Sequence, residues 1–439
     1  MSKEGFFALA SDVFGRLRGG EQLFLNLDAE RSDFVRLNRN RVRQAGAVSS
    51  LSLELTLIDG ERQVEAACDL VGDSSLDNAL TLELLDRLRE RIAHVPADPY
   101  LNYSRQPETS CRELAADLPP TAEAIETLTR LGAGLDLVGI YAAGDVSTGL
   151  ASSLGHRHWH QSTTFNLDWS CYQSGDKAVK GSYSGFDWEP VQLQAHIERQ
   201  RERLAVMQQP AKRVEPGHYR AFLAPAAMEE LIDMLAWGGF GLRDHKTRQS
   251  PLLRLADGEL SLNRAVSLTE DNVRGLAPGF TLEGFAKPDR VGLITNGRFD
   301  TCLADARAAK EYRAEVNAAG EWPESLAMAA GEMPSDTALD RLDTGIYIGN
   351  LWYCNWSDRN ACRVTGMTRF GTFWVERGQL TAPLAVMRFD DSLYRLLGDQ
   401  LEALTREREL MLSAETYGGR STASALLPGA LVSDLALAL

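Results

Sequence analysis

Residues 21–70 read EQLFLNLDAERSDFVRLNRNRVRQAGAVSSLSLELTLIDGERQVEAACDL. Apolar and polar side chains alternate along most of this stretch, which is typical of strands that bury one face. An Asn-Arg-Asn triplet at 38–40 and an Asp-Gly pair at 59–60 interrupt the alternation, and both compositions favour tight turns. The stretch therefore predicts consecutive antiparallel hairpins at the start of the fold.

Outward from these hairpins, the chain divides into three segments. Residues 75–95 have apolar side chains at helical spacing, with Ser74 and Ser75 as candidate caps. Prolines then punctuate residues 96–120, and Pro210 lies close to a second break. Because hairpins and helices are mixed without a regular βαβ order, the fold class is predicted to be α+β. The predicted units are an N-terminal α+β domain at 1–98, a middle β-rich segment with flanking helices at 110–210, and a C-terminal domain at 215–439.

The composition limits the partners. The 439 residues carry 46 basic and 61 acidic side chains, a net charge of −15. This excess of acid argues against nucleic acid or an anionic membrane as a direct partner, because both are bound by clustered Lys and Arg.

The start of the chain lacks the pattern of a signal peptide, and no stretch reaches the ~18 apolar residues of a membrane span. Six scattered cysteines without CxxC spacing indicate reduced thiols. We therefore expect a cytoplasmic protein.

Several longer stretches carry a family resemblance. They are LDLVGIYAAGDVSTGLASSLG at 135–155, FNLDWSCYQSGDKAVKGSYSG at 165–185, RVGLITNGRFDTCLADARAAKEY at 290–312 and GIYIGNLWYCNWSDRNACRVTGMTRFGTFWVERGQL at 345–380. Together with the opening hairpin they resemble the TldD/TldE (PmbA) family, the "modulator of DNA gyrase" proteins. The resemblance implies an N-terminal hairpin-and-helix domain and a larger, mixed β-sheet C-terminal domain. It also implies a dimer, of TldD with TldE or of one chain with itself, that hydrolyses small or unfolded peptides with zinc inside a closed cavity.

The zinc motif of that family is degenerate in this chain. In catalytic TldD-type members, HExxxH follows the first strand of the third segment and a late cysteine completes the site. Aligned to the motif, Ala224 stands at the first histidine, Pro225 at the glutamate and Glu229 at the second histidine. A methyl group cannot bind zinc and proline cannot act as a base. No cysteine follows Cys362, so the resemblance implies a TldE-like member with no metal, cofactor or catalytic residue of its own.

The sequence HRHWH at 156–160 offers an alternative candidate for a metal site. Alternate residues of a strand share a face, so His156, His158 and His160 could converge on one ion. The competing interpretation is a solvated or interface strand face on which the histidines bind nothing. No acidic or cysteine ligand is adjacent in sequence, which favours this second interpretation.

Two cysteines lie eight residues apart, Cys354 and Cys362. A nucleophilic or redox role would need a paired base and a lowered thiol pKa. No histidine follows His245, so buried structural cysteine is the favoured interpretation.

An aromatic and arginine-rich segment surrounds the cysteines. Candidate peptide-cavity residues are Tyr347, Trp352, Trp356, Arg359 and Arg363. Aromatic faces would contact peptide side chains and arginine would bind carboxylates. A packed loop or a dimer contact would have the same composition.

The sequence thus predicts a metal-free TldE/PmbA-like subunit of a TldD-type zinc metallopeptidase. Its partners would be a TldD-like catalytic chain or a second copy, and a peptide held by strand addition along GIYIGNL at 345–351. Two alternatives stay open: a stand-alone peptide-binding homodimer, and an active peptidase that uses the three histidines.

Overall fold

The computed structural model describes residues 1–175, 177–414, 416 and 418–438. The helices are α1 (Lys3–Phe14), α2 (Ser74–Ile92), α3 (Thr121–Leu131), α4 (Pro190–Met207), α5 (Pro225–Gly239), α6 (Leu242–Lys246), α7 (Leu253–Ala256), α8 (Ala306–Tyr312), α9 (Ala338–Leu342) and α10 (Leu393–Leu396). Among the described residues, no helix combines the length and the apolar character that crossing a membrane requires.

The strands outnumber the helices. They are β1 (Gln22–Asn38), β2 (Arg41–Asp59), β3 (Arg62–Asp69), β4 (Thr109–Leu114), β5 (Asp136–Ser152), β6 (Arg157–Ser174), β7 (Lys177–Gly185), β8 (Gly217–Leu223), β9 (Leu268–Asp271), β10 (Arg290–Thr295), β11 (Arg298–Phe299), β12 (Ser325–Met328), β13 (Gly345–Ile348), β14 (Trp352–Asp358), β15 (Arg363–Met367), β16 (Thr372–Glu376), β17 (Gln379–Pro383), β18 (Arg388–Ser392), β19 (Leu401–Leu412) and β20 (Ser424–Ala438). The predicted α+β class is confirmed.

The predicted hairpins open the N-terminal sheet. β1 and β2 pair antiparallel from Gln22 opposite Ile58 to Asn38 opposite Arg41. The turn between them has φ of 51° at Arg39 and 55° at Asn40, the left-handed backbone that a two-residue hairpin turn requires. The candidate serine caps of α2 are wrong: the Asp73 carboxylate accepts the amide hydrogens of the first turn, as a short carboxylate at the N-cap does.

The middle segment completes the same sheet. Strand order is β3-β2-β1-β5-β6-β4, with β7 paired to β6. β1 and β5 form a long antiparallel ladder, from Phe24 opposite Ser152 to Leu37 opposite Gly139. The strands of residues 1–98 and 110–210 therefore form one seven-stranded sheet, and their division into separate units stays a prediction.

The C-terminal segment forms a larger, thirteen-stranded sheet, in the order β11-β10-β9-β12-β20-β8-β13-β16-β17, from which β14, β15, β18 and β19 branch. It mixes parallel pairs, such as β8 with β13, and antiparallel pairs, such as β8 with β20. The helix α5 packs against it with Met228, Leu231 and Ile232 in the core. The predicted larger, mixed β-sheet C-terminal domain is confirmed.

The β19–β20 connection joins the two sheets. The Arg420 backbone amide donates to the Glu30 carboxylate at 2.9 Å, and its guanidinium donates to the Thr164 hydroxyl at 2.7 Å. The Asn166 side-chain amide donates to the Ser413 carbonyl at 2.9 Å. The C-terminal hairpin thus covers part of the N-terminal sheet and forms one wall of the space above it.

Candidate functional site

The start of α5 is the position to which the degenerate motif was assigned. β8 lies between β20 and β13, and the chain turns into α5 directly after Leu223. Ala224 is the N-cap residue, its amide donates to the Ile348 carbonyl at 2.9 Å, and its side chain is buried. Pro225 follows at the first helical position, where its missing N–H costs nothing. A methyl group and a proline ring therefore occupy the first turn.

Glu229 lies one turn further along α5. Burial first, and the neighbouring Asp233 and Glu230 carboxylates after it, raise the pKa of its carboxyl to about 8. Asp168 of β6 also raises it, whereas the Lys180 ammonium of β7 lowers it. The helix thus presents carboxyl groups to the N-terminal sheet, and desolvation keeps Glu229 neutral near pH 7.

Asp168 and Lys180 connect this helix to a cavity on the N-terminal sheet. Burial raises the pKa of Asp168 to about 6, and the Lys180 ammonium opposes that rise. Both residues line a cavity of about 570 Å³ together with Arg36, Arg43 and Trp169. Neither Asp168 nor Lys180 is among the residues predicted from sequence, because they lie on adjacent strands and no spacing in sequence links them.

A second cavity, of about 920 Å³, adjoins the first. Arg36, Ile140 and Thr416 line both. The larger one adds Glu30 and Phe34 and extends along the outer half of β2. The two cavities make a groove with apolar surface and charges of both signs, which suits an extended peptide.

The five predicted cavity residues lie in different surroundings. The Tyr347 ring is buried and stacks on Phe222 with centroids 5.8 Å apart. Its hydroxyl accepts a hydrogen bond from Arg203 at 2.5 Å. Tyr347 is therefore a core residue with a satisfied hydroxyl. None of the five lines either of the two groove cavities.

The other four predicted residues lie on or near β14. Arg359 lies between the rings of Trp237 and Trp356, about 6 Å from each, and donates to the Gln249 carbonyl at 3.0 Å. Arg363 pairs with Asp390. Trp352 is exposed, and the Arg369 guanidinium lies 4.6 Å from the centre of its ring. Arg359 and the two tryptophans around it lie near the end of α5, and the peptide-binding role of the five residues stays a prediction.

Strand addition along GIYIGNL is wrong. β13 pairs with β8 on one side and with β16 on the other. A peptide can add only to a free edge, and both edges of this strand are already hydrogen-bonded.

His158 and His160 of β6, and His156 just before the strand, are fully buried where the N-terminal sheet meets residues 276–284 of the C-terminal segment. His156 and His158 hydrogen-bond through Nδ1 with the Ser152 and Ser110 hydroxyls at 2.6 and 2.8 Å. His160 donates from Nε2 to the Leu276 carbonyl at 2.7 Å. His158 and His160 share one face of β6 as predicted, whereas His156 precedes the strand. That face is an interface within the chain.

These contacts bear on the metal hypothesis. Burial lowers the pKa of His158 and of His160 to about 4, so both rings are neutral near pH 7. The His158 ring stacks on Phe280 with centroids 4.9 Å apart. Within the described part of the chain, no group of three or more His, Cys, Asp or Glu side chains is arranged to hold a metal ion. The geometry favours an interface role for the histidines.

The two cysteines have no activated thiol. Burial raises the pKa of Cys354 to about 12 and raises that of Cys362 as well. A raised pKa leaves a thiol protonated and a poor nucleophile, which agrees with their interpretation as structural residues.

Comparison with known proteins decides the family. The model of the PmbA/TldA metallopeptidase C-terminal domain matches residues 216–438, about half of the chain. The chain belongs to the TldD/TldE (PmbA) family. No curated protein matches the sequence.

Solved structures of this family share the fold over nearly the whole chain. TldE from Thermococcus kodakarensis is 14% identical, with a TM-score of 0.77 over 99% of each chain. A candidate modulator of a DNA gyrase from Thermotoga maritima is 15% identical, with a TM-score of 0.76 over 99% of this chain and 100% of the other. Another candidate modulator of DNA gyrase, from Bacteroides thetaiotaomicron, is 18% identical, with a TM-score of 0.72 over 99% and 98%. At these identities the likeness establishes the fold alone.

Proposed function

We propose that this TldD/TldE-family chain is a non-catalytic, metal-free subunit that pairs in the cytoplasm with a TldD-type zinc metallopeptidase chain. The complex would degrade small or unfolded peptides. The observation that carries the proposal is the first turn of α5, where Ala224 and Pro225 stand in place of a zinc ligand and a general base.

The residues at this position do not fit zinc. Catalytic zinc sites use three protein ligands, usually imidazole nitrogen, carboxylate oxygen or thiolate sulfur. Ala224 and Pro225 have no donor atom, and the carboxyl of Glu229, with its pKa raised to about 8, is protonated near pH 7. A protonated carboxyl is a weak ligand, because a metal must first displace the proton.

The groove supports a role in holding peptide. Arg36, Arg43 and Lys180 offer cations to a peptide carboxyl group or acidic side chain. Glu30 and Asp168 offer acceptors to an amino group or backbone amides. Phe34 and Ile140 add apolar surface. The groove therefore suits a short peptide of mixed composition.

Co-expression with a tagged TldD-type chain tests the proposal. We expect the two chains to co-purify, with zinc present in proportion to the TldD-type chain alone. Peptidase activity on an unfolded peptide should need both chains and should disappear when a chelator removes the zinc. The matched control is the TldD-type chain expressed by itself.

Two results would contradict the proposal. One is the absence of any complex together with unchanged activity of the TldD-type chain. The other is stoichiometric zinc and peptidase activity in this chain alone, which would favour the histidine-based peptidase. A stable homodimer that binds peptide without cleaving it, and ignores the TldD-type chain, would favour the stand-alone binding protein.

A further inference from the structure

A small cavity lies between the start of β7, the end of α4 and the connection from β15 to β16. Its volume is about 230 Å³, below the ~300–1,000 Å³ of pockets that hold drug-sized ligands. Apolar side chains form much of its wall: Met207, Phe370, Pro383, Leu384 and Val386. Among the described residues of the wall, the charged ones are Lys177 and Arg369, and both are basic. The cavity therefore suits a small ligand with an apolar part and an acidic part.

The two cations of this wall have no acidic partner. Within the part of the chain that the structure describes, neither Lys177 nor Arg369 forms an ion pair. The Arg369 Nε is buried and has no hydrogen-bond acceptor there either. A buried donor without an acceptor costs free energy. An anion in the cavity would supply the missing acceptor.

Aromatic rings hold the Arg369 guanidinium in place. Its carbon atom lies 4.6 Å from the centre of the Trp352 ring and 4.8 Å from the centre of the Phe370 ring. Phe370 has φ of 62°, a backbone conformation that a bulky residue rarely adopts and that its surroundings must maintain. The next residue, Gly371, donates from its amide to the Ala178 carbonyl at 3.1 Å. Because the cation is already positioned, little ordering would be needed to bind an anion.

Thr372 adds an unpaired hydroxyl to the same wall. The residue is 4% exposed, and its Oγ1 has no hydrogen-bond partner in the described structure. Thr368, another residue of the wall, differs, because its hydroxyl donates to the Met387 carbonyl at 3.1 Å. Buried side-chain hydroxyls normally have a partner. The Thr372 hydroxyl is therefore available to a ligand oxygen.

We propose that this cavity binds a carboxylate carried on a short apolar group. The planar Arg369 guanidinium can donate two parallel hydrogen bonds to a carboxylate, and Lys177 adds a second cation. Phosphate is commonly bound by backbone amides at a helix N-terminus, and none of the described helices begins in this wall. The apolar group of the ligand would lie against Met207, Leu384 and Val386. A free short-chain carboxylic acid and the last residue of a peptide share this chemistry.

Isothermal titration calorimetry of the full-length chain tests the class of ligand. Isocaproate represents the free acid, and N-acetyl-leucine represents the last residue of a peptide. N-acetyl-leucine amide keeps the apolar group without the charge, and inorganic phosphate keeps a charge without the apolar group. At least one carboxylate should bind about tenfold more tightly, or better, than the amide and phosphate. The carboxylate that binds more tightly identifies the source of the ligand.

Two results of this titration would overturn the proposal. One is that neither carboxylate binds. The other is that the amide or phosphate binds as tightly as both carboxylates.

Arg369→Gln tests whether the bound carboxylate occupies this cavity. The substitution removes the charge and should weaken carboxylate binding by about tenfold or more. Arg105→Gln is the matched control, because the Arg105 guanidinium also lies near an aromatic ring, 5.1 Å from the centre of Tyr103, and does not line the cavity. The control should bind as the parent chain does. Equal losses in the two variants would show a general effect of charge and would overturn the proposal.

Thr372→Val tests the hydroxyl and covers the case that Arg369→Gln disturbs folding. Valine keeps the shape of the side chain, and the hydroxyl that it removes has no partner. The ligand-free variant should therefore be as stable as the parent chain or more stable in urea unfolding. Its carboxylate binding should fall about tenfold. Carboxylate binding that neither Arg369→Gln nor Thr372→Val weakens would overturn the proposal.

The result is independent of the proposed function. All of these measurements use this chain alone, whereas the subunit role is tested by zinc content and activity with a TldD-type chain.

Discussion

The cluster of His156, His158 and His160 and the first turns of α5 differ in burial and hydrogen bonding, which residue types alone do not reveal. Three imidazoles, the commonest zinc ligands, lie at the start of β6 and just before it, yet all three rings are buried and hydrogen-bonded. His156 and His158 bond serines of the same sheet, and His160 bonds across the interface to the Leu276 carbonyl. The start of α5 has the position of a metal motif and lacks donor atoms at Ala224 and Pro225, yet Glu229 one turn on has a strongly raised pKa. In this chain, the side chains that could bind zinc therefore lie away from the position of the family's zinc motif.

The two regions also respond to pH in opposite directions. The folded pKa of His158 and His160 lies below the unfolded value, so their stabilising effect is complete above pH 6.5 and is lost as pH falls. The folded pKa of Glu229 lies above the unfolded value, so stability is lost as pH rises from 4.5 toward 8. The two pH ranges overlap between 4.5 and 6.5, so a substitution in each region is needed to separate their contributions.

The largest expected effect is the acid response of the histidine interface. Between pH 6.5 and pH 4, each of His158 and His160 should lower the free energy of unfolding by up to about 3 kcal/mol. Urea unfolding at a series of pH values measures this. His158→Asn, which keeps a polar group near Ser110 and cannot ionise, should show a shallower acid slope. An identical slope in the parent and variant would mean that His158 does not titrate on unfolding.

His160→Ala should have the next largest effect. It removes a buried ring and leaves the Leu276 carbonyl without its donor, which should cost roughly 3 kcal/mol. Chemical denaturation at pH 7.5 measures the loss. His94→Ala is the control, because His94 is exposed. A loss below about 1 kcal/mol would place His160 outside the stabilising interface.

Glu229→Gln should have a smaller effect of opposite pH dependence. The variant cannot ionise, so at pH 8 it should be more stable than the parent by about 1–2 kcal/mol, and the two should converge near pH 5. Thermal or urea unfolding across pH 5–8 measures this. Glu126→Gln, an exposed glutamate in α3, is the matched control. Destabilisation by Glu229→Gln at pH 8 would show that the carboxylate is stabilised by a partner.

The smallest expected effect is on metal content. If the β6 histidines serve only the interface, His158→Ala should leave the zinc content of the purified chain unchanged by elemental analysis. One zinc ion per parent chain that is lost in His158→Ala would contradict this expectation. It would show that the histidine cluster is a metal site.

Local structure was predictable where short-range chemistry sets it. The turn at Arg39 and Asn40 follows from asparagine, which tolerates positive φ, and the hairpin follows from alternation on either side. The Asn296-Gly297 turn between β10 and β11 is a second example. The helix after β8 follows from Pro225 and the apolar spacing behind it.

Long-range pairing was not predictable. The ladder of β1 with β5 joins residues more than a hundred positions apart, and alternation within each strand does not specify its neighbour. The same reason explains the wrong assignment of a free edge to β13, which reads as an ordinary apolar strand. Asp168 and Lys180 were missed because only the sheet brings them to one cavity.

The sequence by itself determined the α+β class, the opening hairpins and the absence of donor atoms at Ala224 and Pro225, because these depend on residue identity and local backbone preference. The tertiary structure alone decided the burial of the three histidines, the raised pKa of Glu229 and the meeting of Lys177 and Arg369 at one cavity. Desolvation and strand pairing depend on neighbours that folding brings from distant parts of the chain.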